Sequence, residues 1–172
     1  MAARSFDTAK MKEMMEHALE FGGRKLGHHD KEQTRSAIQR GDCVVCGYVR
    51  YGLAREVAEY IGSLDSEVKA VYTYEPDQAT DADCMATNQP ALSPAINMIA
   101  WVEHRSAALA SVVDMLRSAV SEELRPLVCP KANALCTMLD FQVVDDDEVT
   151  SRRGYGALIT SIYVRPLEVW RR

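Results

Sequence analysis

The sequence predicts an α+β fold, and three observations carry that prediction. Apolar residues recur at helical spacing near the N-terminus and again across residues 109–124. Between and after these stretches lie short runs rich in β-branched and aromatic residues, bounded by turn formers. The composition, 47% hydrophobic and 26% charged over 172 residues, is that of one globular domain. A chain of this length buries roughly 70% of its unfolded surface, so neither metal nor disulfide is needed to hold a core.

Taken in order, Met11, Met14, Met15, Ala18 and Leu19 form one apolar helical stripe. Asp7 is placed to cap its start, and Gly22–Gly23 to end it. Asp30 followed by Gln33 makes a capping-box pattern for a second helix, which runs to about Arg40 and stops at Gly41. CVVCGYVRY (43–51) is β-branched and aromatic and reads as the first strand, broken by Gly52. Leu53, Ala54, Val57, Ala58 and Ile61 then repeat at helical spacing up to Gly62, and VKAVYTYE (68–75) reads as the second strand. Were these two strands parallel, their crossover would be right-handed.

Residues 76–94 are polar, Pro-bearing and without period. A loop of that length is uncommon in a compact domain and is predicted to be the most mobile internal segment. INMIAWVEH (96–104) is the third strand. Leu109, Val112, Val113, Leu116, Val120 and Leu124 share one helical face, which Pro126 closes. A fourth strand is expected at 135–144 and a fifth at 155–165, joined by the charged turn DDDEVTSRRG.

The predicted order is thus α-α-β-α-β-β-α-β-β. Its centre matches the ferredoxin-like split β-α-β order (β-α-β-β-α-β), with a helical N-terminal extension over 1–41. Residues 42–172 then form the sheet domain, with an added C-terminal strand, inside one compact domain overall. The alternative is a doubly wound α/β sheet. It is weakened because no helix separates the second and third strands and the last two read as a hairpin. Element order by itself carries no function.

Charge and cysteine usage narrow the classes. The net charge is −5, and no Lys/Arg run is longer than two residues, as at Arg152–Arg153 and Arg171–Arg172, which argues against nucleic acid as a partner. The N-terminal residues lack the apolar core of a secretory signal, and no apolar run approaches the roughly 18 residues of a membrane span. Five cysteines, an odd number, suit reduced thiols in a cytoplasmic protein with no disulfide framework.

Each candidate chemical motif has a plainer reading beside it. Cys43 and Cys46 form a CxxC, but a redox motif of this kind places its first cysteine at a helix N-terminus. Inside a strand, residues three apart point to opposite faces, and no second pair at zinc-site spacing follows, since Cys129 and Cys136 lie too far apart. Core packing and no metal is the expectation. His28, His29 and Asp30 read as a solvated turn. Asp145, Asp146, Asp147 and Glu148 lack EF-hand spacing and read as a charged turn screened by Arg152 and Arg153. RRGYG is neither a P-loop nor a dinucleotide fingerprint, and no catalytic triad, HExxH or kinase set occurs. No cofactor is implied.

One pattern is less generic. Alternation along the five expected strands sorts Val45, Val49, Met98, Ala100, Val102, Leu139 and Phe141 onto an apolar face. Tyr48, Arg50, Glu75, Trp101, Glu103, Asp140 and Tyr163 fall on the other, polar and aromatic together. Such a mixture suits a ligand cleft or a subunit interface unless the N-terminal helices cover it. The expected function is therefore a homo-oligomeric binding or assembly protein, most simply a homodimer, with a small molecule as the other possible ligand. Its alternative is a small enzyme with a site at the strand ends. That site would draw on Arg50, Glu75, Glu103, His104 and Asp140 under the 76–94 loop.

Overall fold

A computed structural model describes residues 8–74, 95–128, 137–163 and 165–172. Three helices come first: α1 (Thr8–Leu26), α2 (Lys31–Gln39) and α3 (Cys43–Leu64). The α1 stripe of Met11, Met14, Met15, Ala18 and Leu19 is buried as its spacing predicts. Gly22 and Gly23 do not end the helix, which runs on to Leu26 and turns at Gly27 with φ +71. Their role is close approach. A Cβ on Gly22 would lie 2.6 Å from Val49 Cγ2, and one on Gly23 would lie 2.7 Å from Thr34 Oγ1. At the start of α2, Asp30 accepts from the Gln33 backbone N–H at 2.7 Å. Gln33 answers by accepting from the N–H of His29, and Gly41 stops the chain beyond with φ +84.

The largest correction concerns residues 43–51, which are helix and not strand. Asp42 caps them, its carboxylate accepting from the N–H groups of Val44 and Val45 at 3.1 and 3.0 Å. Val45, Val49, Leu53, Val57 and Ile61 then line one buried stripe through the whole of α3. Local β-branched content favours a strand, but burial of that stripe against α1 outweighs a propensity scale that spans only about 1 kcal/mol. Gly52 breaks nothing. A Cβ there would meet Ala18 Cα at 3.2 Å, so the residue marks where α3 crosses α1.

Among the described residues four strands form one mixed sheet in the order β3-β2-β1-β4: β1 (Val68–Thr73), β2 (Ile96–Val102), β3 (Leu139–Val144) and β4 (Leu167–Arg171). β1 pairs antiparallel with both β2 and β4, whereas β2 and β3 run parallel. The parallel pair is joined through α4 (Ala107–Val128), which continues two residues past Pro126 and buries Leu127. Between β3 and β4 stand two short helices, α5 (Asp146–Thr150) and α6 (Gly156–Ile159).

Three expectations fall here. The charged turn at 145–154 contains α5, because Asp145 and Glu148 make a reciprocal capping box. The fifth strand expected at 155–165 is not found: residues 156–159 are helical, the described residues 160–163 and 165 are not strand, and the final strand begins after Pro166, at Leu167. The first strand of the ferredoxin-like order is a helix, so the described strands run β-β-α-β-β, and a single parallel pair among them does not make a doubly wound sheet. What stands is an α+β fold with a four-stranded mixed sheet and, among the described residues, six helices.

The main core lies between α1, α3 and α4 and one sheet face, built from Val68, Val71, Ile96, Met98, Ala100, Val102, Leu139 and Phe141. Side chains of α1 and α2 enter the same core. No helix among the described residues is long and apolar enough to cross a membrane.

Candidate functional site

The sheet's second face is the candidate site, and its composition follows from the register. Asn97 stands beside Asp140, Ile99 beside Gln142 and Trp101 beside Val144 across the parallel pair. Across the antiparallel pairs, Tyr72 stands beside Ile99 and Glu168, and Ala70 beside Trp101 and Arg171. A small cluster of Ile99, Val144 and Val149, with Tyr74, Trp101, Leu158 and Ile159 against it, fixes α5 and α6 to this face. Two short helices cannot cover four strands, so Tyr74, Asp140 and Gln142 remain half-buried.

At one end of the face, where β1 finishes and β2 and β3 begin, Tyr74 meets Tyr155 with ring centroids 6.0 Å apart. Burial pushes the Tyr74 hydroxyl well up from its ordinary value, and the Tyr155 hydrogen bond and the Asp140 charge add to the effect. Gln142 Nε2 donates to Asp140 Oδ1 at 2.5 Å. Two phenols, a carboxylate and a carboxamide thus share one patch. The set offers donors, acceptors and aromatic area to a polar ligand.

The opposite end is organised by Asp146. Lys69 Nζ donates to its Oδ2 at 2.5 Å and Trp101 Nε1 to its Oδ1 at 2.7 Å, while the Lys69 ammonium lies 5.6 Å from the Trp101 ring centroid. The Lys69 hydrogen bond is the main reason the Asp146 carboxyl sits below the usual carboxylate range; burial opposes it, and Trp101 and the His104 charge assist. Asp145 and Glu148 are held by Arg105, not by Arg152 and Arg153. Three of the four acidic residues are therefore engaged with protein partners. Among the described residues no group of three or more His, Cys, Asp or Glu is placed to hold a metal ion.

The residues singled out from sequence divide accordingly. Trp101 and Asp140 lie on the second face, at opposite ends. Glu103 and His104 are exposed just past the end of β2, on the Asp146 side. Tyr48 and Arg50 are on α3, not on the sheet, because their segment is helical; the Arg50 guanidinium donates to the Ala95 carbonyl where β2 begins. Tyr163 is 91% exposed on the connection from α6 to β4. Glu75 and the 76–94 loop lie outside the described residues. Arg50 and Asp140 thus sit toward one end of β2, and Glu103 and His104 at the other, so the proposed catalytic set is not gathered.

Sequence reasoning missed Tyr72, Tyr74, Lys69 and Arg171. Tyr72 and Tyr74 alternate with buried Val71, a period-2 signal present in VKAVYTYE, but the bulge between Val68 and Ala70 shifts Lys69 onto the same side as Tyr72. Arg171 donates to the Tyr72 hydroxyl at 3.2 Å from a strand that was not expected.

Fold and face together define an α+β protein on a mixed four-stranded sheet, one side packed by long helices and the other partly open. No family model, curated protein or solved structure matches the chain.

Proposed function

We propose that this is a non-enzymatic binding or assembly protein that forms a homodimer through the second sheet face and the connection beside it. The supporting observation is exposed apolar and aromatic surface next to a thin cover: Tyr163 is 91% and Ile162 75% exposed, directly after α6. Half-buried Tyr74 and exposed Tyr155, which meets its ring, continue the aromatic surface at the far end of the face. Aromatic side chains of this kind supply rigid contact area at low entropic cost, which interface centres favour. β4 adds an edge strand paired on one side only among the described strands.

Sedimentation of the chain at micromolar concentration tests the reading. The expected result is a species of twice 19.2 kDa that the double substitution Ile162→Asp/Tyr163→Asp returns to monomer with its circular dichroism unchanged. A monomer at every concentration, or a dimer indifferent to the substitution, sinks it.

The second reading is a small-molecule site at the Tyr74 end, favoured by the phenol, carboxylate and carboxamide groups gathered there. A ligand retained on the monomer in native mass spectrometry, and lost with Asp140→Ala, would favour this reading over the dimer.

A further inference from the structure

Cys43 and Cys46 stand where a strand would not have put them. Cys43 is the first residue of α3, immediately after the Asp42 cap, and Cys46 follows one turn later with its N–H bonded to the Asp42 carbonyl at 3.0 Å. Residues three apart on a helix are neighbours on one face. From helix geometry their Cα atoms are about 5 Å apart, inside the 4.4–6.8 Å range that a disulfide spans. Both side chains are partly accessible, and Val44 between them is exposed. The Cys43 thiol donates to the Gly41 carbonyl at 3.7 Å, a weak and exposed contact.

We propose that Cys43 and Cys46 form a reversible dithiol–disulfide site that exchanges with low-molecular-weight disulfides. The backbone assigns the roles. Cys46 is fixed by its place in the helical ladder. Cys43, as the first helical residue, has an N–H without an intrahelical acceptor, so its backbone can adjust without costing an intrahelical N–H bond of its own. Cys43 attacks one sulfur of the small disulfide as its thiolate, forming a mixed disulfide and expelling one thiol. Cys46, having lost its proton to solvent, then attacks the Cys43 sulfur and expels the second thiol. One S–S bond breaks and one forms; two electrons pass from the protein to the small disulfide, and the two protons end on the two released thiols. This site lies on α3, away from the second sheet face, and does not depend on the dimer.

The site is readable in the native chain, because the tryptic fragment 41–50 carries both sulfurs and no other cysteine. The native chain is equilibrated across a series of reduced-to-oxidised glutathione ratios, quenched by acid, alkylated and digested. The expected product is fragment 41–50 lighter by two hydrogens and unalkylated. Its equilibrium constant should differ by about tenfold or more from that of the urea-unfolded chain, since helical CxxC sites span a wide range of potentials. Cys46→Ser should stop at the glutathione mixed disulfide on Cys43. Equal constants in folded and unfolded chains, mixed adducts alone in the native chain, or a cross-link from this fragment to one holding Cys84, Cys129 or Cys136 would each overturn the proposal.

Discussion

Asp146 shows how much one side chain arranges on this protein. Its two oxygens take one donor each, from Lys69 of β1 and Trp101 of β2, and so tie α5 to the middle of the sheet. Because the carboxyl is held below its ordinary 3.8, the ionised form is the one that the folded state favours. The stabilisation is fully present above that ordinary value and is lost as pH falls through the folded one. Asp146→Asn should therefore lower the urea midpoint by a constant, small amount at neutral pH. The gap between variant and native chain should close in acid; a gap that is equal at neutral and strongly acid pH would mean that the charge contributes nothing. The effect is small because both partners are partly exposed to solvent, which screens the pair.

At the scale of an element, α3 carries the most information. Its first turn depends on Asp42, which satisfies two backbone donors that the helix itself cannot. Replacing an N-cap acid with Ala typically costs ~1 kcal/mol, and Asn retains most of the benefit. Asp42→Ala should shift the denaturation midpoint by about that amount, with Asp42→Asn close to the native chain. Equal midpoints for all three proteins would show that the 43–51 segment is not held as helix by this cap. The same helix was half legible in advance. Val45, Val49, Leu53, Val57 and Ile61 repeat every four residues behind an Asp, which suits a helix without excluding a strand over 43–51. It was outweighed by the run of valines and tyrosines and by Gly52, whose bare Cα is needed for the α1 crossing and not for a turn. The strand at 155–165 failed for a related reason: alternation alone does not tell a strand from a short helix followed by an exposed connection.

At the scale of the whole molecule, β4 and the residue after it return to the end of α3. Trp170 packs over Gly62, where a Cβ would lie 2.3 Å from the ring, and Arg172 donates to the carbonyls of Gly62, Asp65 and Ser66. Helix propensity alone would make Gly62→Ala stabilising by up to ~1 kcal/mol. The clash should win, because overpacking a filled contact costs about 1–3 kcal/mol. A lower midpoint with faster hydrogen exchange in β4 is the expected outcome; a more stable variant would mean that the Trp170 ring is free to leave.

The sequence by itself determined the α+β class, the buried stripes of α1 and α4, the cap of α2, and the strands read at 68–75 and 96–104, which the structure confines to 68–73 and 96–102. Each depends on local periodicity or on a capping pair only a few residues apart. It also marked Trp101 and Asp140 for the polar-aromatic face, since alternation within one strand is local too. Tertiary structure alone decided that 43–51 is helical, that the closing strand follows Pro166, that the sheet order is β3-β2-β1-β4, and that Cys43 and Cys46 share a face. The physical reason is common to all four. Each depends on what a segment packs against, and the partners of Gly52, Gly62 and Tyr72 lie 34, 108 and 99 residues away in the chain, at Ala18, Trp170 and Arg171.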